Sequence, residues 1–501
     1  MYKERVGAAQ PVLRAPRAIA TVLSLQGARG LHSRSHMSWT PDSWKTRPIA
    51  QDVPYDDPAQ LEQALRKLRA LPPLVTSWEV EELKREIALA QEGKRFLLQG
   101  GDCAETLSDC TSEIIANKLK ILLQMSLVLI HGAARPVIRV GRFAGQYAKP
   151  RSSATESRGG VTLPSYFGDL VNAAEFDAAS RRADPEALLR GYSHAAMTLN
   201  FIRSLCAAGF ADLHHPEYWD LAFMSRDGLP ADVRAQYEGM TTRLSAALRF
   251  MEALGERTVD ELTGVSFYTS HEGLNLHYEA AQTRRVPRRE GHYDLTTHLP
   301  WVGERTRALD GAHIDFFGGI QNAVGVKLGP KATVEEAVEL CRALNKRNEP
   351  GKLVLITRMG AAAVAERLPL LVEGVHRAGC RVLWVTDPMH GNTVSLASGI
   401  KTRRFEDILS EIEQSFDVHA RLRTHLGGVH FELTGDNVTE CIGGGLTEED
   451  LDRNYATLCD PRLNYPQALE MAFRVAQRMS THTNHSLSFP PPKPDPGVDP
   501  T

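Results

Sequence analysis

The sequence predicts an α/β protein built as a single (β/α)8 TIM barrel, and the pattern of its apolar runs leads to this prediction. Eight short apolar runs recur along the chain, and each ends in a polar side chain suited to catalysis or ligand binding. Catalytic residues of such a barrel come from the carboxyl ends of several different strands. The later runs are also separated by about 30 residues, the length of one strand and its helix. The residues at the run ends are Cys103, Arg142, His271, Glu272, Glu304, Arg305, Lys327, Arg358, His390 and Glu432.

The eight apolar runs are the predicted strands of the barrel. A doubly wound open sheet is the alternative, but it would need a glycine-rich dinucleotide loop after its first strand. The chain contains neither a GxGxxG nor a Walker motif, and this favours the barrel. The predicted strands span residues 96–99, 137–140, 265–268, 299–302, 324–326, 353–356, 382–385 and 428–431.

Apolar residues spaced three and four apart predict the helices. An N-terminal helical arm is expected over residues 58–71 and 80–89, before the first strand. Between later strands, one helix is expected after the capping box that starts at Thr333, and another is expected to stop at Gly379.

The alternation of strand and helix stops between the second and third strands. Residues 173–205 and 230–254 have helical patterns, so a helical insertion is predicted over about 154–262. An insertion of this kind could be a regulatory or oligomeric surface, or simply scaffold.

The two ends of the chain differ from the predicted catalytic domain, which spans residues 37–485. Residues 1–36 are rich in arginine and poor in acids, so they are expected to be a disordered leader, with a start at Met37, or a transit peptide. Residues 486–501 are proline-rich and are expected to be a disordered tail. We therefore expect a cytoplasmic protein, or an organellar one if the leader is a transit peptide.

The overall composition argues against several classes of partner. The net charge is −3, so neither a nucleic acid nor a membrane is predicted as a partner. Seven scattered cysteines without a CxxC spacing favour a reducing compartment. The most apolar stretch, residues 121–130, is interrupted by polar residues and is typical of a buried helix.

Four residues could form a metal site. Cys103, His390 and Glu432 follow strands one, seven and eight, which are neighbours in a closed barrel, and Asp460 follows in the next loop. This mixture of ligands suits manganese, cobalt, iron or zinc without deciding among them. Taken singly, each residue has an ordinary interpretation, because a buried cysteine is usually a small hydrophobic side chain.

A set of basic residues predicts an anionic ligand. Lys327 and Arg358 directly follow apolar strands, where a solvated face is not expected, and burying unpaired cations is costly. Glu272 and Glu304 could act as acid or base or neutralise these cations, and His271 could do either. His430 is interpreted as a core histidine or as one that supports a neighbouring site residue. The basic set comprises Arg142, Lys149, Arg151, Arg305, Lys327 and Arg358.

These residues lie within motifs by which the chain, over residues 38–480, resembles the class II (plant-type) 3-deoxy-D-arabino-heptulosonate 7-phosphate (DAHP) synthases. The motifs are Gln99-Gly-Gly-Asp-Cys-Ala-Glu105, Arg142-Phe-Ala-Gly-Gln-Tyr-Ala-Lys-Pro-Arg-Ser-Ser153, Thr269-Ser-His-Glu272, Trp301-Val-Gly-Glu-Arg-Thr-Arg307, Gly325-Val-Lys-Leu-Gly-Pro330, Thr357-Arg-Met-Gly360, Asp387-Pro-Met-His-Gly-Asn-Thr393, Glu432-Leu-Thr-Gly-Asp-Asn-Val-Thr-Glu-Cys441 and Cys459-Asp-Pro-Arg-Leu-Asn464. A departure lies at Gln321-Asn322-Ala323, where relatives often have an Asn-Pro step.

The resemblance implies a transferase that condenses phosphoenolpyruvate with D-erythrose 4-phosphate, the first step of the shikimate pathway toward chorismate and the aromatic amino acids. It also implies a divalent metal, typically Mn²⁺, a homo-oligomer and aromatic amino acid effectors. In this family the equivalents of Cys103 and Cys459 can pair when metal is absent. The implied metal ligands are Cys103, His390, Glu432 and Asp460, and the implied phosphoenolpyruvate ligands are Arg142, Glu304, Arg305, Lys327 and Arg358. Erythrose 4-phosphate is expected near Lys149, Arg151, Ser152 and Lys401, with catalytic support from Glu272, Glu304 and Lys327.

Two other functions are compatible with the sequence. One is an amino-sugar variant of the same reaction in specialised metabolism. The other is a catalytically silent regulatory partner, whose expected signature would be a lost site residue. None of the site residues is lost.

Overall fold

The computed structural model describes residues 39–207 and 266–486, and also 231, 234–236, 238–240 and 242. Eight parallel strands close into a barrel in the order β1-β14-β11-β10-β9-β8-β5-β2, which confirms the predicted fold class. The barrel strands are β1 (Phe96–Gly101), β2 (Val137–Arg142), β5 (Tyr268–Glu272), β8 (Leu299–Val302), β9 (Val324–Leu328), β10 (Leu353–Thr357), β11 (Leu383–Thr386) and β14 (Leu426–Glu432). Short paired strands outside the barrel are β3 (Thr155–Arg158) with β4 (Val161–Pro164), β6 (Thr283–Arg284) with β7 (Tyr293–Asp294), and β12 (Thr393–Ser395) with β13 (Lys401–Arg403).

The helices pack around the barrel. The helices are α1 (Pro58–Ala70), α2 (Ser77–Gln91), α3 (Ser112–Ala133), α4 (Glu186–Ala207), α5 (Leu276–Gln282), α6 (Ala312–Phe317), α7 (Val334–Leu344), α8 (Val364–Arg377), α9 (Phe405–Arg421) and α10 (Tyr465–Ser486). The N-terminal arm, α1 and α2, is present as predicted, and α1 contacts α4 and α5. In the outer layer α3 contacts α10, and α8 lies between α7 and α9. Short 3-10 helices lie at Ser43–Thr46, Leu107–Asp109 and Glu448–Arg453.

The apolar face of helix α2 packs against the core of the barrel. Leu83 and Ile87 of this face lie in one buried cluster with strand residues such as Leu97, Val354 and Val385. Parallel strands that are buried on both faces read as continuous apolar runs, which is why the sequence revealed them. Since α2 contacts strands β1, β11 and β14, the arm stabilises the barrel itself.

The ends of three neighbouring strands lie level at one rim. Gly101 is in register with Arg142 on one side and with Glu432 on the other. Gly101 has a φ of +145°, and a Cβ there would lie 2.8 Å from the Arg142 carbonyl oxygen, so glycine is required. Strands β1 and β2 continue two residues beyond their predicted ends, because Gly100-Gly101 and Gly141-Arg142 remain in the ladder.

The start of the insertion differs from the prediction. Residues 155–164 form the β3–β4 hairpin, and the helix predicted to begin at residue 173 begins only at Glu186. Pro185 explains the late start, since proline disfavours helical geometry in the residue before it. The described residues of the second predicted helix, between 231 and 242, are helical, and its remainder lies outside the described residues.

Helix α3 is long and apolar enough to cross a membrane by length and composition alone. However, 67% of its most apolar 18-residue stretch is buried inside the protein, and the helix packs against α10 and β2. This arrangement agrees with the buried helix that the sequence predicted. The predicted leader, Met37 and residues 487–501 lie outside the described residues.

Candidate active site

One cavity of about 150 Å³ lies at the carboxyl ends of the barrel strands. It brings together every residue that the sequence predicted for metal, phosphoenolpyruvate, erythrose 4-phosphate or catalytic support. Its walls are formed by Cys103, Arg142, Gln146, Lys149, Pro150, Arg151, Ser152, Glu272, Trp301, Gly303, Glu304, Arg305, Lys327, Arg358, His390, Lys401, Glu432 and Asp460. Gln146, Pro150, Trp301 and Gly303 were not predicted.

Three potential metal ligands converge on one side of the cavity. The Cys103 sulfur and a carboxylate oxygen each of Glu432 and Asp460 lie within 4.8 Å of one another. His390 Nε2 lies 3.1 Å from Glu432 Oε1, so the fourth predicted ligand adjoins the same group. The loop that carries Asp460 is held to the barrel because the Leu463 N–H donates to the Glu432 carbonyl at 3.0 Å. Sulfur, imidazole and carboxylate donors together suit a divalent transition metal.

A positive charge already lies among these donors. Lys149 Nζ is 2.8 Å from Cys103 Sγ and 3.0 Å from Asp460 Oδ2. Burial opposes the charge, but the neighbouring Cys103, Cys459 and Asp460 groups raise the pKa of Lys149 above its usual value. The ammonium group shows that this donor set attracts a cation, and the donors therefore fit a metal ion.

His390 is oriented by a buried carboxylate that the sequence analysis did not single out. Asp387 Oδ2 lies 2.7 Å from His390 Nδ1, which leaves Nε2 toward Glu432. The same carboxylate contacts the ammonium group of Lys327. Although burial opposes ionisation, His390 and Lys327 hold the pKa of Asp387 well below its usual value. The sequence signal that could have identified Asp387 is its position just beyond β11, at the start of the Asp387-Pro-Met-His390 motif.

Basic residues form a cradle above the indole ring of Trp301. The guanidinium carbon of Arg142 lies 5.2 Å from the ring centroid, and Lys327 Nζ lies 5.8 Å from it. Arg142 also donates to Glu432 at 3.0 Å and lies 2.8 Å from His430 Nε2. His430 is buried one layer deeper, in agreement with its interpretation as a core histidine.

Within this cradle, Lys327 has a strongly lowered pKa. Burial, followed by repulsion from Arg142, lowers the pKa of Lys327 to about 8, whereas Asp387 opposes this shift. Arg358 approaches from the next strand and donates to the His390 carbonyl at 2.8 Å. The cradle and the metal-ligand set are therefore in direct contact.

The two acids on the other wall differ in their contacts. Glu304 accepts hydrogen bonds from the Gly329 N–H at 2.7 Å and from Arg307 at 3.0 Å. Glu272 Oε1, by contrast, is buried and has no hydrogen-bond partner among the described residues. Burial raises the pKa of Glu272 despite the nearby bases, of which Lys327 has the largest effect. Glu272 is thus the acid with free hydrogen-bonding capacity.

His271 does not reach the cavity. Adjacent residues of a strand point to opposite sides, and His271 Nε2 lies 2.9 Å from Glu279 on helix α5. Burial lowers the pKa of His271 to about 4. Its role is structural support of β5, while Glu272 faces the cavity wall.

The remaining basic residues lie at the rim. Arg151 pairs with Glu156 of the β3–β4 hairpin at 2.9 Å, and Lys401, in the β12–β13 hairpin, lies 3.1 Å from Asp460 Oδ1. Both hairpins are insertions beyond barrel strands. Arg151, paired with the first hairpin, and Lys401, in the second, place positive charge at the rim of the cavity.

Buried ion pairs that the sequence did not reveal support the ligands from below. Arg403 lies 2.7 Å from Glu432 Oε2. Arg462, two residues beyond Asp460, pairs with Asp102 at 2.7 Å and with Glu440 at 2.8 Å. These contacts join the loops that carry Cys103 and Asp460.

The chain is similar to several known proteins. The profile of the Class-II DAHP synthetase family matches residues 39–476. A Phospho-2-dehydro-3-deoxyheptonate aldolase of Neurospora crassa is 46% identical over 456 residues, which cover 87% of this chain and 94% of that protein. A protein of the same name from Streptomyces coelicolor is 48% identical over 438 residues, covering 87% and 96%. A solved Phospho-2-dehydro-3-deoxyheptonate aldolase of Francisella tularensis aligns with a TM-score of 0.47 at 12% identity, covering 84% of this chain and 97% of that one.

Proposed function

The chain belongs to the Class-II DAHP synthetase family, and from this premise we propose how its cavity carries out the reaction. The protein is a DAHP synthase, which condenses phosphoenolpyruvate with D-erythrose 4-phosphate and water to give DAHP and phosphate. The main structural support for this function is that the metal-ligand set and the cationic cradle meet in one cavity at the carboxyl end of the barrel strands.

We propose that Cys103, His390, Glu432 and Asp460 hold a divalent ion, with Mn²⁺ the expected metal and Co²⁺, Fe²⁺ or Zn²⁺ compatible with the same donors. The convergence of three donors and the ammonium group among them support this assignment. When bound, such an ion supplies Lewis-acid polarisation of the erythrose 4-phosphate aldehyde.

Phosphoenolpyruvate is proposed to lie in the cradle over Trp301. Arg142, Arg305, Lys327 and Arg358 supply positive charge for its carboxylate and phosphate groups, and Glu304 keeps the adjoining Gly329 backbone and Arg307 in place. Arg142 and Lys327, which lie over the Trp301 ring, would hold the substrate in place while its C3 attacks the aldehyde carbon.

Erythrose 4-phosphate is proposed to enter from the rim, with its phosphate near Lys149, Arg151, Ser152 and Lys401. Lys149 and Lys401 contact the Asp460 carboxylate, and Arg151 and Ser152 line the same cavity. The aldehyde end would then face the metal-ligand set.

Water must then add to C2, and phosphate leaves by cleavage of the C2–O bond. We propose that Glu272 accepts the proton of this water, since Glu304 is already engaged by Gly329 and Arg307. Lys327 can hold the departing phosphate, and its lowered pKa allows it to exchange a proton near neutral pH.

Three other features stay predictions: a homo-oligomer, aromatic amino acids as effectors, and a cytoplasmic location with an organellar alternative. They depend on the family and on the composition of the chain ends, and not on the geometry of the cavity.

The function is tested by phosphate release from phosphoenolpyruvate, using reduced protein that has been stripped by a chelator and reloaded with Mn²⁺. We expect release only when erythrose 4-phosphate and metal are both present, with DAHP formed in equal amount. Release that persists in the stripped protein would contradict the metal assignment, and no release from the loaded protein would contradict the function.

A further inference from the structure

Behind the cavity, two turns that carry proposed ligands lie against each other. One follows β10 and contains Arg358, and the other follows β11 and contains His390. A Cβ on Gly391 of the second turn would lie 2.3 Å from the backbone nitrogen of Gly360 in the first. Arg358 also donates to the His390 carbonyl at 2.8 Å. The two turns therefore cannot move independently without losing these contacts.

A fully buried acid on the outer helix α9 joins the same two turns. Glu411 Oε1 accepts the Met359 N–H of the first turn at 2.7 Å. Its Oε2 accepts from Asn392 Nδ2 of the second turn at 2.8 Å, and Asn392 Oδ1 accepts the Ala361 N–H at 2.9 Å. Among the described residues no basic side chain forms an ion pair with Glu411. Its hydrogen bonds to the turns are thus its main compensation for burial.

The burial of this acid is costly. Desolvation, followed by the nearby Asp387 carboxylate, raises the pKa of Glu411, while the Gly360 and Met359 N–H groups and Asn392 oppose the shift because they donate to the ionised form. An apolar side chain of similar size would fill the space without this cost. An acid at this position therefore argues for a role in holding the turns.

We propose that Glu411 is a positioning residue, which clamps the two turns so that Arg358 and His390 keep one mutual geometry. This inference rests on the function proposed above, in which Arg358 binds phosphoenolpyruvate and His390 binds metal. Its consequence is that one distant carboxylate sets both the affinity for phosphoenolpyruvate and the affinity for the metal.

The hydrogen-bond directions around Glu411 determine what a substitution there must do. Both oxygens of Glu411 accept, so Glu411→Gln must place an amide N–H against a donor, either the Met359 N–H or the Asn392 amide. In the double variant that adds Asn392→Asp, the new amide can donate to the new carboxylate, while Met359 and Ala361 keep their acceptors. The cost is the loss of the hydrogen bonds from Asn392 Nδ2 to the Pro388 carbonyl at 2.8 Å and to the Asp407 carbonyl at 3.5 Å.

The experiment measures the KM for phosphoenolpyruvate and the dissociation constant for Mn²⁺, the latter by competition with a chelator. For Glu411→Gln we expect both constants to rise about tenfold, as for other residues that orient metal ligands. The matched control is Glu406→Gln on the exposed side of the same helix, which should leave both unchanged. The double variant should recover a large part of both losses.

Thermal unfolding establishes that each variant is folded. A folded Glu411→Gln protein with wild-type values for both constants would overturn the inference, and so would a double variant with no recovery. If the wild-type protein binds neither Mn²⁺ nor phosphoenolpyruvate, the proposed function is contradicted as well. If the wild type binds both normally and the Glu411→Gln variant is unaffected, only the proposed role of Glu411 is contradicted.

Discussion

Asp387 Oδ2 lies 2.7 Å from His390 Nδ1, and the same buried carboxylate contacts Lys327. One acid thus adjoins both a proposed metal ligand and a proposed phosphoenolpyruvate ligand. An acceptor on Nδ1 fixes the tautomer of a metal-binding histidine and makes the ring a better ligand.

Replacing Asp387 by Asn should therefore weaken metal binding. The amide oxygen can still accept from Nδ1 but no longer carries the charge, so we expect the Mn²⁺ dissociation constant to rise about tenfold or more. Chelator competition on the purified protein measures this. The exposed Asp452→Asn variant is the control, and equal affinity in the two variants would refute the role of Asp387.

The lowered pKa of Lys327 predicts an alkaline limit to activity. Burial lowers this pKa to about 8, so Lys327 is charged below pH 8 and neutral above it. Because phosphoenolpyruvate is an anion, kcat/KM for this substrate should fall as pH rises through about 8. The profile of kcat/KM reports groups of the free enzyme, and it is the quantity to measure.

The Lys327→Arg variant is the matched control for this limit. Arginine stays charged throughout this range, so its alkaline limb should move to higher pH even though its rate is lower. If kcat/KM falls at the same alkaline pH in the wild type and in Lys327→Arg, a group other than Lys327 titrates.

The thiols of Cys103 and Cys459 predict sensitivity to oxidants. They hydrogen-bond to each other, and this contact, with Lys149, lowers the pKa of Cys459 to about 7. A thiolate is the reactive form in disulfide chemistry. Metal-free protein is treated with diamide, which is reduced as the two thiols are oxidised. On reloading with Mn²⁺ it should stay inactive until a thiol reductant is added.

In the same assay, Cys459→Ser should keep its activity through diamide treatment and reloading with Mn²⁺. The partly exposed Cys380→Ser variant should remain as sensitive as the wild type. Counting thiols before and after treatment identifies the bond. Equal inactivation of the Cys459→Ser protein would show that oxidation acts elsewhere.

The sequence predicted the barrel and its cavity because parallel strands leave two signals. A strand buried on both faces is a continuous apolar run, as in Leu353–Thr357, and its last residues face the mouth. Arg358 and His390 could therefore be assigned to one site although 32 residues separate them.

Other features depend on contacts that a linear pattern does not contain. Trp301 looks like any core aromatic until Arg142 and Lys327 are seen above its ring. Glu411 belongs to an amphipathic helix, and only the turns packed against it distinguish it from a solvated acid. For adjacent residues such as His271 and Glu272, alternation requires opposite faces but does not say which one meets the cavity.

Glu272 gives the sharpest test of the chemical step. If it accepts the proton of the attacking water, Glu272→Gln removes that capacity while leaving the cradle in place. We expect kcat to fall by about 10²- to 10⁴-fold, the usual contribution of a general base, with little change in the KM for phosphoenolpyruvate.

The comparison variant is Glu304→Gln. An amide oxygen can still accept from the Gly329 N–H, so this change mainly weakens the contact with Arg307 and should act more on KM than on kcat. Steady-state phosphate release by the two folded, Mn²⁺-loaded variants distinguishes the roles. A larger loss of kcat in Glu304→Gln than in Glu272→Gln would assign the water to Glu304, because the acid that activates it must dominate the rate.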